Sequence, residues 1–429
     1  MFPFLGRLCK TRVIIRSQCL NQIRKSSGNA TSRFLVREIK GHNEDRMLHV
    51  TWNSGSLNRY PYVFLRDNCR CPECFHDSSC QRRFDTVGSL DMNILPERLE
   101  ITEHGKELTV TWPDGHISVF DSKWLHSRRL SEDEGSRKKT TTLNKKGVEL
   151  WDAKKLQGNI PRFDFREVME DDLTLFNWLS SMHRLGIALV CNTPLKLGQV
   201  DKFCERVGHY KPTHYGHHFQ VKAKHGANNL AYTTDTLHLH SDLAYLDYAP
   251  GVQLLQCIEQ IPSIGGANQF ADGFHVSKLL KDLDPKKFEL LSSSQLNFYD
   301  VGEDTFGDFD MKVAHTTIEL DNDGQLSRFF LSNFSRDSIS KGSPECVVEL
   351  YEAYLTIGKM LRDPANVIEY KMIPGDMVTI NNHRVTHGRT GFTVTEGGSR
   401  FLVGIYMDWD TMYSRLRVLA RKLNLPCPC

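Results

Sequence analysis

The chain has 429 residues, of which 40% are hydrophobic and 25% charged, and its net charge is +2. This length allows two or three domains, and the composition is ordinary for a globular protein. The sequence contains no run of the roughly 18–20 apolar residues that a membrane span requires, so no membrane span is expected.

The first 37 residues are basic and contain no acidic side chain. Eight of them are Lys or Arg, and the first acid is Glu38. This composition is typical of a mitochondrial transit peptide, and we expect cleavage between about residues 20 and 37; a disordered basic tail is the alternative. Without residues 1–37 the chain keeps 46 basic and 52 acidic residues. Such a chain has no electrostatic reason to bind nucleic acid or anionic lipid.

Residues 38–130 predict a small β-rich domain. Three stretches alternate apolar and polar residues as strands do, namely "MLHVTW" (47–52), "YVFLRD" (62–67) and "ELTVTWPDGHISVF" (107–120). Within the last of them, "PDG" predicts a turn between two strands. The charged sequence that begins "SEDEGSRKK" is poor in apolar residues and predicts an exposed linker over 131–159.

Residues 160–429 predict a larger domain of many short strands and few helices. Helical apolar spacing predicts two helices, over 171–186 and over 345–361. Gly186 marks the end of the first. Strand-like apolar runs lie between and after these helices, among them "LGIALVC", "GVQLLQCI", "DMVTINN" and "RFLVGIYMDW". The pattern favours a mainly β fold with peripheral helices, a β-sandwich or jelly roll.

Four cysteines cluster in the N-terminal domain, Cys69, Cys71, Cys74 and Cys80. In a reducing compartment such a cluster favours a metal over disulfides. The three thiolates of "CRCPEC" can bind one tetrahedral Zn²⁺ whose fourth ligand comes from elsewhere in the domain. A site with four protein ligands is closed, so its expected role is structural.

The stretch "TLHLHSDLAY" (236–245) places His238, His240 and Asp242 at every second position. On a β-strand these side chains would share one face. His387, 145 residues after Asp242, is the expected third ligand. Two histidines and one carboxylate are the ligand set of non-haem Fe(II) oxygenases, so we expect His240, Asp242 and His387 to form the catalytic iron site. His238 and His383 are expected to lie outside the ligand set.

Arg400 lies thirteen residues after His387, at the start of "RFLVGIYMDW". Its planar guanidinium suits bidentate capture of a carboxylate, as the distal end of 2-oxoglutarate would need. Arg389, in "HGR", is the rival anchor but lies closer to His387 in sequence. Arg400 is therefore the predicted cosubstrate-binding residue.

Residues 45–422 resemble the γ-butyrobetaine and trimethyllysine dioxygenases, a family of 2-oxoglutarate-dependent hydroxylases of carnitine biosynthesis. The resemblance is carried by "FLRDNCRCPEC", "TWPDGH", "YGHHFQV", "NNLAYTT", "LHLHSD", "PGVQLLQC", "DGF", "HGR" and "DWDTMYSRLRVL". It implies a double-stranded β-helix catalytic domain, a small N-terminal zinc-binding domain and a homodimer. It also implies His116 as the fourth zinc ligand, for which Cys80 is the rival.

The resemblance implies hydroxylation of a trimethylammonium substrate with Fe(II), 2-oxoglutarate and O₂, and with ascorbate as reductant. "NNLAYTT" and "DWDTMYSRLR" are closer to the γ-butyrobetaine branch, so the expected reaction is γ-butyrobetaine to L-carnitine. Trimethyllysine or a related betaine is the alternative substrate. That branch is often cytosolic, whereas the basic N-terminal segment favours the mitochondrial matrix.

Aromatic faces can hold a trimethylammonium group by cation–π attraction. By resemblance, the residues expected to bind substrate are Tyr215, Phe219, Asn229, Tyr232 and Tyr406, with Asn229 contacting the carboxylate. Tyr215 and Phe219 lie four apart and are expected to be neighbours on a helical turn.

Several positions depart from the family pattern. Phe219 replaces a tryptophan, Leu243 replaces a tyrosine, and Ser332 replaces an asparagine that Asn333 can substitute. Asn268 stands where relatives have a hydroxyl-bearing residue, which weakens a second contact to 2-oxoglutarate.

Two other function classes compete with an oxygenase. An interaction module on an inactive core would require a missing iron ligand, and none of the three is missing. A hydrolytic zinc centre is disfavoured by Arg400 and by the lack of an obvious general base near the motif.

Overall fold

The computed structural model describes residues 34–76, 81–130, 145–222, 234–260, 265–339, 343–393 and 400–429. The chain divides into two compact units, Met1–Ser136 and Arg137–Cys429. Most of the predicted transit segment lies outside the described residues. Its last residues belong to the first unit instead, because Val36 begins a strand and is buried. No helix among the described residues is long and apolar enough to cross a membrane.

Within its described residues, the first unit contains eight short strands and three short α-helices, besides the single 3-10 turn Glu103–Gly105. In chain order they are β1 Val36–His42, β2 Met47–Trp52, β3 Leu57–Pro61, α1 Tyr62–Asp67, β4 Phe75–His76, β5 Gln81–Arg82, α2 Thr86–Ser89, β6 Arg98–Thr102, β7 Glu107–Thr111, β8 Ile117–Asp121 and α3 Ser122–Ser127. Two antiparallel three-stranded sheets, β1-β2-β3 and β6-β7-β8, contribute the core.

The alternation predicted for strands is confirmed in β2, where Leu48, Val50 and Trp52 are buried. The strand predicted over 62–67 is wrong, because these residues form α1. Its buried residues Tyr62, Leu65 and Arg66 are spaced three and four apart, which is the spacing of one helix face rather than of a strand face.

The second unit contains fourteen strands and eight helices within its described residues. They are α4 Ala153–Leu156, β9 Arg162–Asp164, α5 Phe165–Glu170, α6 Asp172–Leu185, β10 Ile187–Cys191, α7 Gln199–Val207, β11 Phe219–Val221, β12 Leu237–His240, β13 Val252–Glu259, β14 Asn268–Asp272, α8 Gly273–Leu283, α9 Pro285–Ser293, β15 Gln295–Asp304, β16 Gly307–Thr316, β17 Ile318–Leu320, β18 Leu326–Phe329, α10 Pro344–Arg362, β19 Val367–Tyr370, β20 Met377–Asn381, β21 Val385–Arg389, β22 Phe401–Met407 and α11 Trp409–Leu423.

Two sheets of the second unit enclose a shared apolar core. The larger has the order β11-β22-β13-β20-β10-β9, and the smaller has the order β12-β21-β14-β19. Leu189 and Leu255 of the larger sheet pack in one cluster with Phe270, Ile368 and Val385 of the smaller. This pair of facing sheets confirms the predicted jelly roll with peripheral helices.

Helices cover the outer face of the larger sheet. Helix α6 confirms the prediction over 171–186: Asp171 caps its first turn by accepting from Thr174 N, and Gly186 ends it at a φ of 74°. Trp178 of α6 and Phe203 of α7 pack edge to face at 4.9 Å against the strands below. Helix α10 likewise confirms the helix predicted over 345–361.

The predicted linker over 131–159 is shorter in the structure. Residues 131–144 lie outside the described residues, but 145–159 pack into the second unit. Trp151 is 1% exposed and donates from Nε1 to Leu185 O at 2.7 Å. The charged residues around Trp151 therefore do not prevent its burial in the core of the second unit.

A buried ion pair joins the ends of β14 and β21. Arg384 donates from Nε and Nη2 to the two oxygens of Asp272 at 2.9 and 2.7 Å, and both side chains are at most 1% exposed. Arg384 also donates to Glu149 O and Arg184 O, and Asp272 accepts from Trp151 N. The pair therefore ties the start of the second unit to the strand that carries His387.

Replacing Arg384 by methionine should lower the free energy of unfolding by about 3–5 kcal/mol, because the Asp272 carboxylate is left buried without its cation. Denaturant unfolding of the second unit measures the change. Arg166→Met, which removes an exposed pair with Glu170, is the matched control and should have little effect. Equal stability of the two variants would contradict a structural role for the buried pair.

Candidate active site

His240 and Asp242 lie at the end of β12 and in the turn that follows it. The expectation that His238 shares their face is wrong: the strand ends at His240, and its pairing with β21 is irregular between Leu237 and His240. His238 is exposed, whereas His240 is buried. The His238 carbonyl nevertheless accepts from His240 Nδ1 at 2.8 Å. That hydrogen bond leaves His240 Nε2 unprotonated and available to a metal.

The three predicted ligands converge on one point. Asp242 Oδ1 lies 3.2 Å from His240 Nε2 and 3.5 Å from His387 Nε2. Sheet register explains the approach of the histidines, because His240 and His387 are directly paired across β12 and β21. All three ligand atoms lie within 4.8 Å of one another, so the donor set fits a single metal ion.

Asn382 holds the turn that carries Asp242. Its Oδ1 accepts from Asp242 N at 2.7 Å, and its Nδ2 donates to Asp242 O at 3.0 Å and to Pro250 O at 2.9 Å. The following residue, Leu243, has a φ of 54°, a conformation that bulky residues rarely adopt without such support. Sequence reasoning missed Asn382; its only signal was its position next to the strand "DMVTIN".

The second oxygen of Asp242 is also engaged. Tyr406 donates its hydroxyl to Asp242 Oδ2 at 2.7 Å, and Gln253 Nε2 donates to the same oxygen. Asp242 Oδ1 therefore faces the two histidines, while Oδ2 accepts the hydrogen bonds from Tyr406 and Gln253. Such outer contacts orient a ligand and tune its basicity. Gln253, in "GVQLLQC", was also missed by sequence reasoning.

Burial and charge act in opposite directions on these groups. Burial alone would raise the pKa of Asp242, but His387, His240 and the Tyr406 hydrogen bond outweigh it and hold the pKa below the usual range. Burial lowers the pKa of His387 to about 4, although Asp242 partly opposes the shift. At neutral pH the site therefore has an ionised carboxylate and a neutral imidazole at His387, the forms that bind metal.

Two arginines line the same cavity as the metal ligands. Arg389 donates from Nη2 to Asp235 O at 2.7 Å and stacks on Phe392 at 4.7 Å. Arg400 is 6% exposed, and its Nε has no hydrogen-bond partner within the described part of the chain. Burial, and then the charge of Arg389, lower the pKa of Arg400 to about 10. Both arginines remain charged at neutral pH, and Arg400 has donors to offer an anion.

Aromatic side chains form another wall of the cavity, which measures about 790 Å³ including its open mouth. Its aromatic lining residues are Tyr215, Phe219, Tyr245, Phe334 and Tyr406. Phe219 and Tyr406 stack with centroids 5.0 Å apart. The predicted substrate residues Asn229 and Tyr232 lie outside the described residues.

The expected helical turn between Tyr215 and Phe219 is wrong. Phe219 opens β11, and Tyr215 lies in a turn where Thr213 and Gly216 bond to each other through their backbones. Gly216 has a φ of 96°, which breaks any helix at that point. The two rings still reach one cavity, because a pocket gathers side chains from different local structures.

The positions that depart from the family pattern lie in different places. Leu243 lines the cavity, as does Asn268, which also donates to Tyr370 O at 3.4 Å. Ser332 is buried and accepts from Ser335 Oγ at 2.7 Å. Asn333 is exposed and accepts from Arg336 Nη2 at 3.4 Å. Neither Ser332, which stands where the family has an asparagine, nor its neighbour Asn333 is among the residues that line the cavity.

The first unit brings together a second group of candidate ligands. His116 Nε2 lies 3.2 Å from Cys69 Sγ, 3.6 Å from Cys71 Sγ and 3.5 Å from Cys74 Sγ. The cysteines follow α1, and His116 occupies the turn between β7 and β8, where its N–H donates to Asp114 Oδ1 at 3.0 Å. Three sulfurs and one imidazole fit a closed tetrahedral metal site. Cys80 lies outside the described residues.

Both units of the chain are similar to known protein families. Residues 149–406 match the family described as "Taurine catabolism dioxygenase TauD, TfdA family", and residues 39–126 match "Gamma-butyrobetaine hydroxylase-like, N-terminal". The gamma-butyrobetaine dioxygenase of Pongo abelii is 37% identical over 88% of this chain and 96% of its own length. The mitochondrial trimethyllysine dioxygenase of Homo sapiens is 30% identical over 85% of this chain and 84% of its own. A solved taurine dioxygenase from Burkholderia xenovorans has 15% identity and a TM-score of 0.42, covering 57% of this chain and 84% of that one.

We expect the unaltered chain to copurify with one zinc ion per chain, and a variant carrying Cys71→Ser and His116→Ala to lose it, because two of the four candidate ligands are removed. Elemental analysis of the purified proteins measures this. Cys346→Ser, an exposed cysteine of the second unit, is the control and should keep its zinc. Retention of a full complement in the double variant would exclude this cluster as the zinc site.

Proposed function

The chain belongs to the TauD, TfdA family of dioxygenases, and on that basis we propose that it hydroxylates γ-butyrobetaine to L-carnitine, with 2-oxoglutarate as cosubstrate. The relative at 37% identity bears the name of that activity, against 30% for the trimethyllysine dioxygenase. Trimethyllysine is therefore the second candidate substrate. The observation that carries the proposal is a single cavity containing the metal-ligand triad, a buried arginine and an aromatic wall.

His240, Asp242 and His387 are proposed as the ligands of Fe(II). A bound Fe(II) ion supplies the O₂ chemistry that couples conversion of 2-oxoglutarate to succinate and CO₂ with insertion of one oxygen atom into the substrate. The chain itself supplies orientation. The His238 carbonyl sets the tautomer of His240, and Tyr406 with Gln253 sets the direction of the Asp242 carboxylate.

Arg400 is proposed to bind the distal carboxylate of 2-oxoglutarate. Its guanidinium is buried in the cavity that contains the triad. The Nε atoms of both Arg400 and Arg389 lack a hydrogen-bond partner among the described residues, but Arg389 also uses its Nη2 to bind Asp235 O. Two adjacent buried cations are unfavourable without an anion. A dianionic cosubstrate compensates both charges, and its carboxylate matches the planar fork of Arg400.

The aromatic wall is proposed to hold the trimethylammonium group. Such a group offers no hydrogen bond, so ring faces that exclude water are its best partners. Tyr215 and Phe219 line the cavity without belonging to the metal site. Tyr406 differs from them, because its hydroxyl already donates to Asp242. We propose that Tyr406 couples the substrate wall to the metal ligand, while Asn229 and Tyr232 complete the pocket.

The altered positions affect how tightly the substrate is held. Leu243 contributes an apolar surface to the cavity where the family has a hydroxyl. The hydroxyl of Ser332 already accepts a hydrogen bond from Ser335. The substrate carboxylate consequently has fewer partners, and binding weaker than in relatives is expected. A related betaine with a smaller demand for hydrogen bonds would suit the same cavity.

Incubation with Fe(II), 2-oxoglutarate, ascorbate and either γ-butyrobetaine or trimethyllysine tests the reaction. We expect γ-butyrobetaine to gain one oxygen, with one succinate formed per product, and both His240→Ala and Asp242→Ala to abolish this. Turnover of trimethyllysine alone would show that the chain is a trimethyllysine dioxygenase instead. Normal turnover by either variant would disprove the ligand assignment.

Arg400→Ala should raise the KM for 2-oxoglutarate by about tenfold or more, because a charge-assisted bidentate contact is lost. Its affinity for Fe(II) should be unchanged, since Arg400 is not one of the proposed metal ligands. Arg389→Ala is the matched comparison, because Arg389 lines the same cavity. A larger effect of Arg389→Ala on KM would transfer the role of anchor to Arg389.

We also propose a homodimer in the mitochondrial matrix, on the evidence of family resemblance and of the acid-free basic segment. Expression with a C-terminal fluorescent tag should show mitochondrial targeting, and deletion of residues 2–33 should abolish it. This deletion stops short of β1 and so spares the folded unit. Cytosolic location of the full-length protein would contradict the proposal.

A further inference from the structure

The first unit contains a cavity beside the cysteine cluster, with a volume of about 780 Å³ including its open mouth. Its lining includes three arginines and two aromatic side chains, namely Arg70, Arg82, Arg128, Phe75 and Trp124. Asp67 is the acidic residue in this lining. The proposed oxygenase reaction uses none of these side chains.

The three arginines differ in how their charges are compensated. Arg82 forms a salt bridge with Asp67 and donates to the backbone oxygen of the same residue at 2.8 Å. Arg70 and Arg128 have no acidic partner within the described part of the chain. The nearby cysteine cluster has its own cationic neighbour, because Arg66 Nη1 donates to Cys74 Sγ at 3.4 Å. Among the described residues, the cavity wall therefore carries two positive charges that have no acidic partner.

Aromatic rings hold these two guanidinium groups in place. Arg128 lies over the Trp124 ring at 4.2 Å, and Arg70 lies over Phe75 at 3.9 Å and over Trp124 at 5.6 Å. Cation–π contacts use the face of a guanidinium and leave its N–H edges free. The hydrogen bonds of Arg128 to described residues all involve Nη1, to Ser127 Oγ at 3.0 Å and to Trp124 O at 3.5 Å.

The proximity of the two cations has an electrostatic cost. Burial, and then the charge of Arg70, lower the pKa of Arg128. An anion placed between them would relieve this repulsion and accept hydrogen bonds from both forks. One carboxylate has two oxygens and one charge, which a single fork satisfies. A phosphate group has three free oxygens and a charge of about −1.5 to −2 at pH 7, which matches two forks and two charges.

We propose that this cavity binds the phosphate group of a small phosphorylated ligand through Arg70 and Arg128, stacked on Trp124 and Phe75. The site is independent of the oxygenase reaction. Its ligand has two sources, inorganic pyrophosphate or a nucleotide whose base also contacts the rings, and both present the same phosphate chemistry.

Titration calorimetry of the full-length, zinc-containing protein at constant ionic strength tests the proposal, with inorganic pyrophosphate as probe. We expect one site per chain, and a loss of affinity of about tenfold or more in Arg70→Gln and in Arg128→Gln. Arg98→Gln is the matched control, because Arg98 belongs to the same unit and pairs with Glu100; its affinity should equal that of the unaltered chain.

Titrations with other ligands distinguish a nucleotide from an inorganic phosphate ligand, and a phosphate from a carboxylate ligand. Tighter binding of ATP than of tripolyphosphate supports a nucleotide, and equal binding supports a phosphate ligand alone. Citrate binding as tightly as pyrophosphate would overturn phosphate as the ligand class. Unchanged pyrophosphate affinity in both glutamine variants, with zinc content intact, would overturn the site itself. Arg128→Lys, which keeps charge but loses the fork, guards against loss of folding and should bind pyrophosphate with intermediate affinity.

Discussion

The buried ion pair of Asp272 and Arg384 is the contact on which the second unit depends. It joins the end of β14 to the residue before β21. Both side chains also form hydrogen bonds with backbone atoms, Arg384 with Glu149 O and Arg184 O, and Asp272 with Trp151 N. A charged pair excluded from water is stable only when its remaining donors and acceptors are satisfied, and here two carbonyls and one amide from two segments, 149–151 and Arg184, satisfy them. Because β21 carries His387, the same contact sets the position of one metal ligand.

The metal site is built outward from Asp242. One carboxylate oxygen faces the two histidines, and the other accepts from Tyr406 and Gln253 of the opposite sheet. The ligand that belongs to a turn is thereby made as rigid as those that belong to strands. Tyr406 also stacks on Phe219 in the aromatic lining of the cavity, so its ring connects that lining to the Asp242 carboxylate.

The two units use arginine for different purposes. In the second, Arg400 and Arg389 are buried beside the triad, where loss of water strengthens their attraction for a dianion. In the first, Arg70 and Arg128 are exposed and are held by aromatic faces instead. The guanidinium groups of Arg389 and Arg400 are thus shielded from water, whereas those of Arg70 and Arg128 are oriented by contacts with aromatic rings.

By itself, the sequence determined what depends on local pattern and residue type. Alternation predicted strands such as β2, helical apolar spacing that ends at Gly186 predicted α6, and the chemistry of His, Asp and Cys predicted two groups of ligands that the fold brings together. Alternation failed at 62–67, because burial on one face of a short helix also produces apolar residues at close spacing.

Only the tertiary structure decided which face each ligand uses and what supports it. An irregular pairing turned His238 away from His240, although their spacing is that of one strand face. Asn382 lies 140 residues from Asp242, Tyr406 lies 164 residues from it, and Arg384 lies 112 residues from Asp272. Such contacts leave no periodic trace in a single sequence, because side chains so far apart along the chain meet only after both sheets have formed.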